Sequence, residues 1–255
     1  MAKGMAGADS SVVVTHTISS KTLVELATEH FEQVPVLWGR YFKSIHNTGG
    51  AEYRHRQENQ ILRDNGIRVL PTAQQTTHVN QGRQLGIDDA KLNVEDLIVS
   101  FGADYLATQG SEFLMFLDVE PSHPLSLDYY TGWAQTVISE SLTLSGNRFK
   151  VLPAVYGNHS DNTTWHAIAR ASQRGVECHG VWVARYGTRP GCTKLIEWDN
   201  AEVMPAVTLP CQVLLWQYSE ECHGGEGFDC NETNPNIDLQ GDLLQKLILP
   251  SDVVG

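Results

Sequence analysis

What most constrains this chain is a regular alternation. From about residue 12 to residue 249, short apolar or β-branched runs alternate with stretches whose apolar residues recur at helical spacing, and no Pro/Gly/Ser linker interrupts them. The pattern predicts strands over 12–16, 34–42, 67–73, 112–119, 149–156, 180–186, 194–198 and 212–218. It predicts helices over 21–30, 52–65, 88–108, 128–145, 163–174 and 239–249, with Gly66 as the C-cap of the second. The run Phe113-Leu114-Met115-Phe116-Leu117 is apolar throughout, as expected of a strand buried on both faces. Eight strands alternating with helices fit one α/β domain, a single (β/α)8 TIM-type barrel over residues 12–255, irregular near strands 7 and 8 where little helix intervenes. A doubly wound sheet fits less well, because no glycine-rich phosphate loop follows the first strand. Residues 1–11 are small and polar and read as a flexible N-terminal tail.

Composition narrows the function. Of 255 residues, 41% are hydrophobic and 19% charged, enough to bury a large core. The net charge of −12 argues against nucleic-acid partners. No apolar run approaches the ~20 residues of a membrane span, and no signal peptide is visible at the N-terminus. The five cysteines, Cys178, Cys192, Cys211, Cys222 and Cys230, crowd the C-terminal third. Cys222 and Cys230 flank a glycine-rich loop and form a candidate disulfide; reduced thiols are the competing reading, which the absent signal peptide favours. With no C-x-x-C pair, and no ligand spacing among His159, His166 and His179, neither a metal nor another cofactor is expected. Asn158, Asn162 and Asn231 begin N-x-S/T sequons.

In a barrel of this type the chemistry lies at the C-terminal ends of the strands. The sharpest signal there is Asp118-Val119-Glu120. Strand period places both carboxylates on one face, roughly 7 Å apart along the chain. Two acids in a partly apolar pocket disfavour double ionisation, so one keeps its proton near neutral pH and can serve as a general acid, as glycosidic cleavage requires. Arg40, Gln74 with Gln75, Tyr156, Trp182, Arg185, Gln217 and Tyr218 lie at other strand ends. Aromatic faces stack on pyranose rings, while amide and guanidinium groups bond hydroxyl and acetamido groups. Arg40 or Arg185 has an alternative role as a structural counter-ion. His16, at the end of the first expected strand, is a candidate base or wall residue.

These residues resemble the family 25 glycoside hydrolases, which are lysozyme-type muramidases, and a related glycoside-hydrolase-like family of unknown function. The resemblance spans about residues 12–231. It rests on Gly39-Arg40-Tyr41, Asp118-Val119-Glu120, Tyr130 with Gly132-Trp133, Val155-Tyr156-Gly157, Val181-Trp182-Val183-Ala184-Arg185-Tyr186, Leu215-Trp216-Gln217-Tyr218 and Phe228-Asp229-Cys230-Asn231. Gly39-Arg40-Tyr41 and the segment Asn65-Gly66-Ile67-Arg68-Val69-Leu70-Pro71 bring it nearer to the uncharacterised branch. The resemblance implies a retaining glycosidase acting on peptidoglycan, with a secreted or cell-envelope location. It implies Glu120 as general acid/base, Asp118 as the carboxylate that orients the substrate's acetamido group, and Asp229 lining the same cleft. Such substrate assistance departs from the usual two-carboxylate scheme.

One departure stands against it. These families carry an aspartate at the end of the first strand, and Val14-Thr15-His16-Thr17 holds no carboxylate. That motivates a second reading, a non-catalytic barrel binding glycan or cell-wall components through Trp182, Trp216 and Tyr218. A third is a partner-interaction barrel that docks through its cysteine-rich end.

Overall fold

A computed structural model of the chain describes residues 3–42, 52–74, 77–186, 192, 194 and 197–251. The strands are β1 (Ala6–Asp9), β2 (Thr17–Ile18), β3 (Lys21–Thr22), β4 (Leu37–Phe42), β5 (Arg68–Gln74), β6 (Glu112–Val119), β7 (Lys150–Asn158), β8 (Val181–Ala184), β9 (Val213–Cys222) and β10 (Phe228–Thr233). β2 and β3 form a small separate ladder, and the other eight close a barrel in the order β1-β10-β9-β8-β7-β6-β5-β4. Neighbours from β4 to β9 run parallel, as do β1 and β4; β10 runs antiparallel to both β9 and β1. The expected α/β barrel is therefore present, and its irregularity lies where β9 returns directly through a hairpin into β10 instead of crossing over through a helix.

Helices α1 (Leu23–Phe31), α2 (His55–Asp64), α3 (Arg83–Phe101), α4 (Ala103–Gln109), α5 (Leu127–Ser145), α6 (Asn162–Gln173) and α7 (Asn200–Val203) occupy the connections. Local sequence explains their limits. Thr22 and Glu25 form a reciprocal capping box at the start of α1. Gly102, at φ 81°, divides into α3 and α4 what the periodicity read as one helix over 88–108.

Three expected elements differ. The first barrel strand is Ala6–Asp9, fully buried, so the stretch read as a tail supplies part of the barrel wall and 12–16 is not a strand. Its small residues carry no β-branched signal, and crowding requires them: a Cβ on Gly7 would meet Leu37 Cδ1 at 2.6 Å. In the expected strand over 194–198, the described residues Lys194, Glu197 and Trp198 form no strand. The expected helix over 239–249 is a π turn, Leu239–Leu243, followed by a 3-10 turn, Leu244–Lys246.

Strand alternation sorts the core into two compartments. Leu70, Leu114, Phe116, Leu152 and Leu215 fill the barrel interior, which Leu243, Leu244 and Leu247 of the last turns also join. A second layer, including Trp38, Trp133, Val155 and Trp216, packs between barrel and helices. A buried ion pair crosses that outer layer: Arg40 Nε donates to Glu58 Oε2 at 2.7 Å, with both side chains fully buried. Glu58 also accepts from the backbone N–H groups of Val14 and Arg54 at 3.0 and 2.7 Å, and Arg40 donates to the Ser10 carbonyl. This network holds α2 against the chain leaving β1. Removing one partner strands a buried charge, so Glu58→Ala should destabilise the fold by about 3–5 kcal/mol, read as a lower urea midpoint at unchanged m-value.

Candidate active site

The C-terminal mouth of the barrel encloses a cavity of about 350 Å³. Its acids come from separate strands: Asp9 from β1, Asp118 from the end of β6, Glu120 just beyond it, and Asp229 from β10. Tyr41, Tyr156, Trp182, Tyr186 and Gln217 complete the walls, and Glu220 and Glu221 lie at the rim. No Lys, Arg or His lines the cavity among the described residues.

A carboxylate does stand at the end of the first barrel strand, contrary to the sequence-based expectation, and it is Asp9. The true first strand ends on it, so Val14-Thr15-His16-Thr17 lies beyond the position where that carboxylate belongs. The approach of β4 makes room for it: a Cβ on Gly39 would meet Asp9 Cβ at 2.7 Å and the Trp182 ring at 3.3 Å. Two side-chain amides hold Asp9. Gln217 Nε2 donates to its Oδ1 at 2.9 Å and Asn231 Nδ2 donates to the same oxygen at 2.7 Å. Both amides are themselves oriented. Tyr156 and Tyr186 hydroxyls donate to Gln217 Oε1 at 2.7 and 2.9 Å, and Trp182 Nε1 donates to Asn231 Oδ1 at 2.8 Å. Gln217 Nε2 also reaches Asp229 Oδ2 at 3.2 Å, and the Glu221 N–H donates to Asp229 Oδ1 at 2.6 Å.

Burial and mutual repulsion set the protonation states. Desolvation raises Asp9 to about 6 although the two amides and the nearby Arg40 charge favour its ionised form. Asp118 is pushed well above the usual carboxylate range, first by burial and then by the charges of Glu120 and Asp9. Asp229 rises to about 8 through burial and the charge of Asp9. Glu120, partly exposed, is raised by desolvation and then by Glu220. Asp9 therefore gives up its proton at lower pH than Asp229, and the two titrate as a linked pair.

Of the sequence-derived candidates, Asp118, Glu120, Tyr156, Trp182, Gln217 and Asp229 line the cavity and five do not. Arg40 sits one residue out of phase with Tyr41 and is committed to Glu58. Arg185 donates to the Glu202 carbonyl, one step out of phase with Tyr186. Tyr218 is fully buried beside Trp216, 5.8 Å between ring centroids, so neither ring named for glycan binding on β9 faces the cavity. Gln74 ends β5 in register with Asp118 but does not line the cavity, and Gln75 lies outside the described residues. His16 Nε2 lies 3.5 Å from Glu226 Oε2 and does not line the cavity. Asn231, read as a sequon, is completely buried and its amide is engaged with Asp9 and Trp182, which closes it to a glycan. The sequence reading missed Asp9 and the supporting role of Asn231; the small-residue run Ala6-Gly7-Ala8 before an aspartate was the available signal.

No family model and no curated protein matches the chain. Several solved structures are similar in fold. One is an uncharacterized B. stearothermophilus protein, 22% identical, with 96% of this chain and 100% of that chain covered at a TM-score of 0.65. Another is the Clostridium perfringens spore cortex lytic enzyme SleM, 16% identical, with 92% of this chain and 68% of that chain covered at a TM-score of 0.50. At these identities the likeness is one of fold. No helix among the described residues is long and apolar enough to cross a membrane.

The raised acids make stability depend on pH with a definite sign. Folded Asp9 and Asp229 hold protons that the unfolded chain releases near about 3.9. The stability that these two groups contribute is thus fully present below that range and is lost as pH rises through about 6 and about 8. Urea midpoints should fall across this window in the wild type and fall less steeply in Asp229→Asn; equal slopes in the two proteins would contradict the assignment.

Proposed function

We propose that this protein is a glycoside hydrolase of the lysozyme-like barrel type, acting on peptidoglycan or a related amino-sugar polymer, with Glu120 as general acid/base and Asp118 as its partner. The observation that carries this reading is the convergence of Asp9, Asp118, Glu120 and Asp229 in one cavity at the barrel mouth. Grouping four acids there opposes stability, and catalysis gives a reason for it. Support at the level of fold comes from the cortex lytic enzyme.

Glu120 suits the acid because it is the most accessible of the four and its proton is held above the ordinary range. In the first step it donates that proton to the glycosidic oxygen as the bond to the anomeric carbon breaks. The substrate's own acetamido oxygen attacks that carbon from the opposite side, and Asp118 accepts a hydrogen bond from the acetamido N–H, which keeps its proton throughout. With Glu120 protonated, one of the charges opposing Asp118 ionisation is removed, so the two groups titrate as a linked set. In the second step the Glu120 carboxylate removes a proton from the water that opens the cyclic intermediate, giving net retention. Asp9 supplies the fixed negative charge beneath the developing positive charge on the sugar.

The binding-only reading was motivated by a missing first-strand carboxylate, and Asp9 removes that motive. The all-acidic charge at the cavity gives no long-range attraction for an anionic wall polymer, so affinity must come from hydrogen bonds and from contact with Trp182 and the tyrosines. Reducing-sugar release from purified peptidoglycan and from chitooligosaccharides tests the proposal. Wild type should release product, and Glu120→Gln should lose about 10²–10⁴-fold in rate while keeping its melting temperature. Asp9→Asn should also lose turnover. Equal release by wild type and Glu120→Gln, or saturable glycan binding with no product from wild type, would overturn the assignment.

A further inference from the structure

Outside the cavity, four side chains from three separate parts of the chain converge near the turn of the β9–β10 hairpin. Cys222 ends β9, Cys230 lies in β10, Cys192 belongs to the segment after β8, and His30 occupies the last turn of α1. One donor atom from each lies within 4.8 Å of all the others. Cys192 and Cys222 are joined as a disulfide, which corrects both the reduced-thiol reading favoured for these cysteines and the candidate Cys222–Cys230 pairing, and leaves Cys230 a free thiol. Cys230 Sγ is 3.2 Å from Cys222 Sγ, and His30 Nδ1 is 3.4 Å from Cys192 Sγ.

A disulfide needs two sulfurs; this cluster holds three, together with an imidazole. Three thiolates and one imidazole are a donor set of closed, four-coordinate structural zinc sites, and their softness disfavours magnesium and calcium. The cluster straddles the protein surface. Cys222 and Cys230 are fully buried, His30 is half-buried and Cys192 is exposed, and the Phe228 ring lies 6.0 Å from the His30 ring and 6.1 Å from that of Trp38.

We propose that the reduced chain binds one Zn²⁺ through Cys192, Cys222, Cys230 and His30, and that the Cys192–Cys222 disulfide is the metal-free, oxidised form of the same site. Interconversion balances with a dithiol as reductant. The dithiol gives two electrons and two protons to the Cys192–Cys222 bond and becomes a disulfide itself; Zn²⁺ then displaces three thiol protons and accepts the lone pair of a neutral imidazole. Four protein ligands leave no open coordination position, so the role is structural. Cys222 and Cys230 directly adjoin Glu221 and Asp229, so the ion would anchor to α1 the hairpin that forms the acidic wall of the cavity.

The test uses the full chain, reduced with a phosphine, stripped with a chelator, loaded with Zn²⁺ or Co²⁺ and desalted. Reduced wild type should retain about one equivalent of metal, show the intense visible absorption of tetrahedral thiolate-bound Co²⁺, and melt at a higher temperature with Zn²⁺ than after stripping. A Cys178→Ser/Cys211→Ser double variant, which alters the other close cysteine pair, should retain the same amount. Cys230→Ser and His30→Ala, each checked for native circular dichroism, should retain less than about a tenth as much. The oxidised wild type should retain none. Absence of metal on the reduced wild type, equal retention by oxidised and reduced protein, or undiminished retention by folded Cys230→Ser and His30→Ala would each overturn the proposal; the wild-type comparison stands even where a variant fails to fold. Because none of these readouts involves glycan turnover, the result is independent of the proposed hydrolase activity.

Discussion

The pleat of a closed barrel governs this molecule. Along each strand alternate residues face the interior, and closure removes any freedom to slide a strand by one position without turning its whole apolar set outward. The consequences run from core to cavity. Leu114, Phe116, Asp118 and then Glu120 follow one inward phase along β6 and its exit, so the leucine and phenylalanine of the interior lead directly to the acids of the mouth. The opposite phase serves the helices: Leu117 and Val119 join the outer layer, and Arg40 on β4 meets Glu58 of α2 there.

Against that scaffold the cavity concentrates cost. Asp9 and Asp118 are almost wholly buried, and no cationic side chain lines the cavity beside them among the described residues. The arrangement is sustained by protonation and by neutral dipoles. Gln217 turns one amide towards two acids and is oriented by two tyrosine hydroxyls, while Asn231 is oriented by Trp182. An amide stabilises a carboxylate without bringing in a full counter-charge, and with both amides on one oxygen Asp9 is held at about 6, below Asp229 at about 8. A lysine in place of either amide would pin the neighbouring acids in their charged forms and remove the proton inventory on which acid–base chemistry depends.

Much of the architecture was legible from periodicity. Strands rich in aliphatic residues, such as β6 and β7, and helices with clear apolar stripes emerged near their true positions, because burial on one face or both leaves a local record. What escaped lacked that record. β1 is built of Ala6, Gly7, Ala8 and Asp9, chosen by crowding rather than β propensity, while the β-branched stretch just after it imitated a strand. β10 carries Asp229, Asn231 and Glu232 among its six residues and pairs antiparallel, against the parallel pattern of its neighbours. At the site, Asp118 and Glu120 stood out because acids at the end of an apolar strand are costly. Arg40, Arg185 and Tyr218 were equally plausible as residue types and were excluded only by strand phase.

The sequence by itself determined the class of fold, the acidic character of the chain and the pair Asp118 and Glu120, because each is written in neighbouring residues and in overall composition. Tertiary structure alone decided that Asp9 completes the acid cluster, that Gln217 and Asn231 orient it, and that His30 meets Cys192, Cys222 and Cys230. The physical reason is separation along the chain. Asp9 and Asn231 are 222 positions apart and Cys192 and His30 are 162 apart, and only closure of the barrel, which sets β1 beside β10, brings such groups within bonding distance.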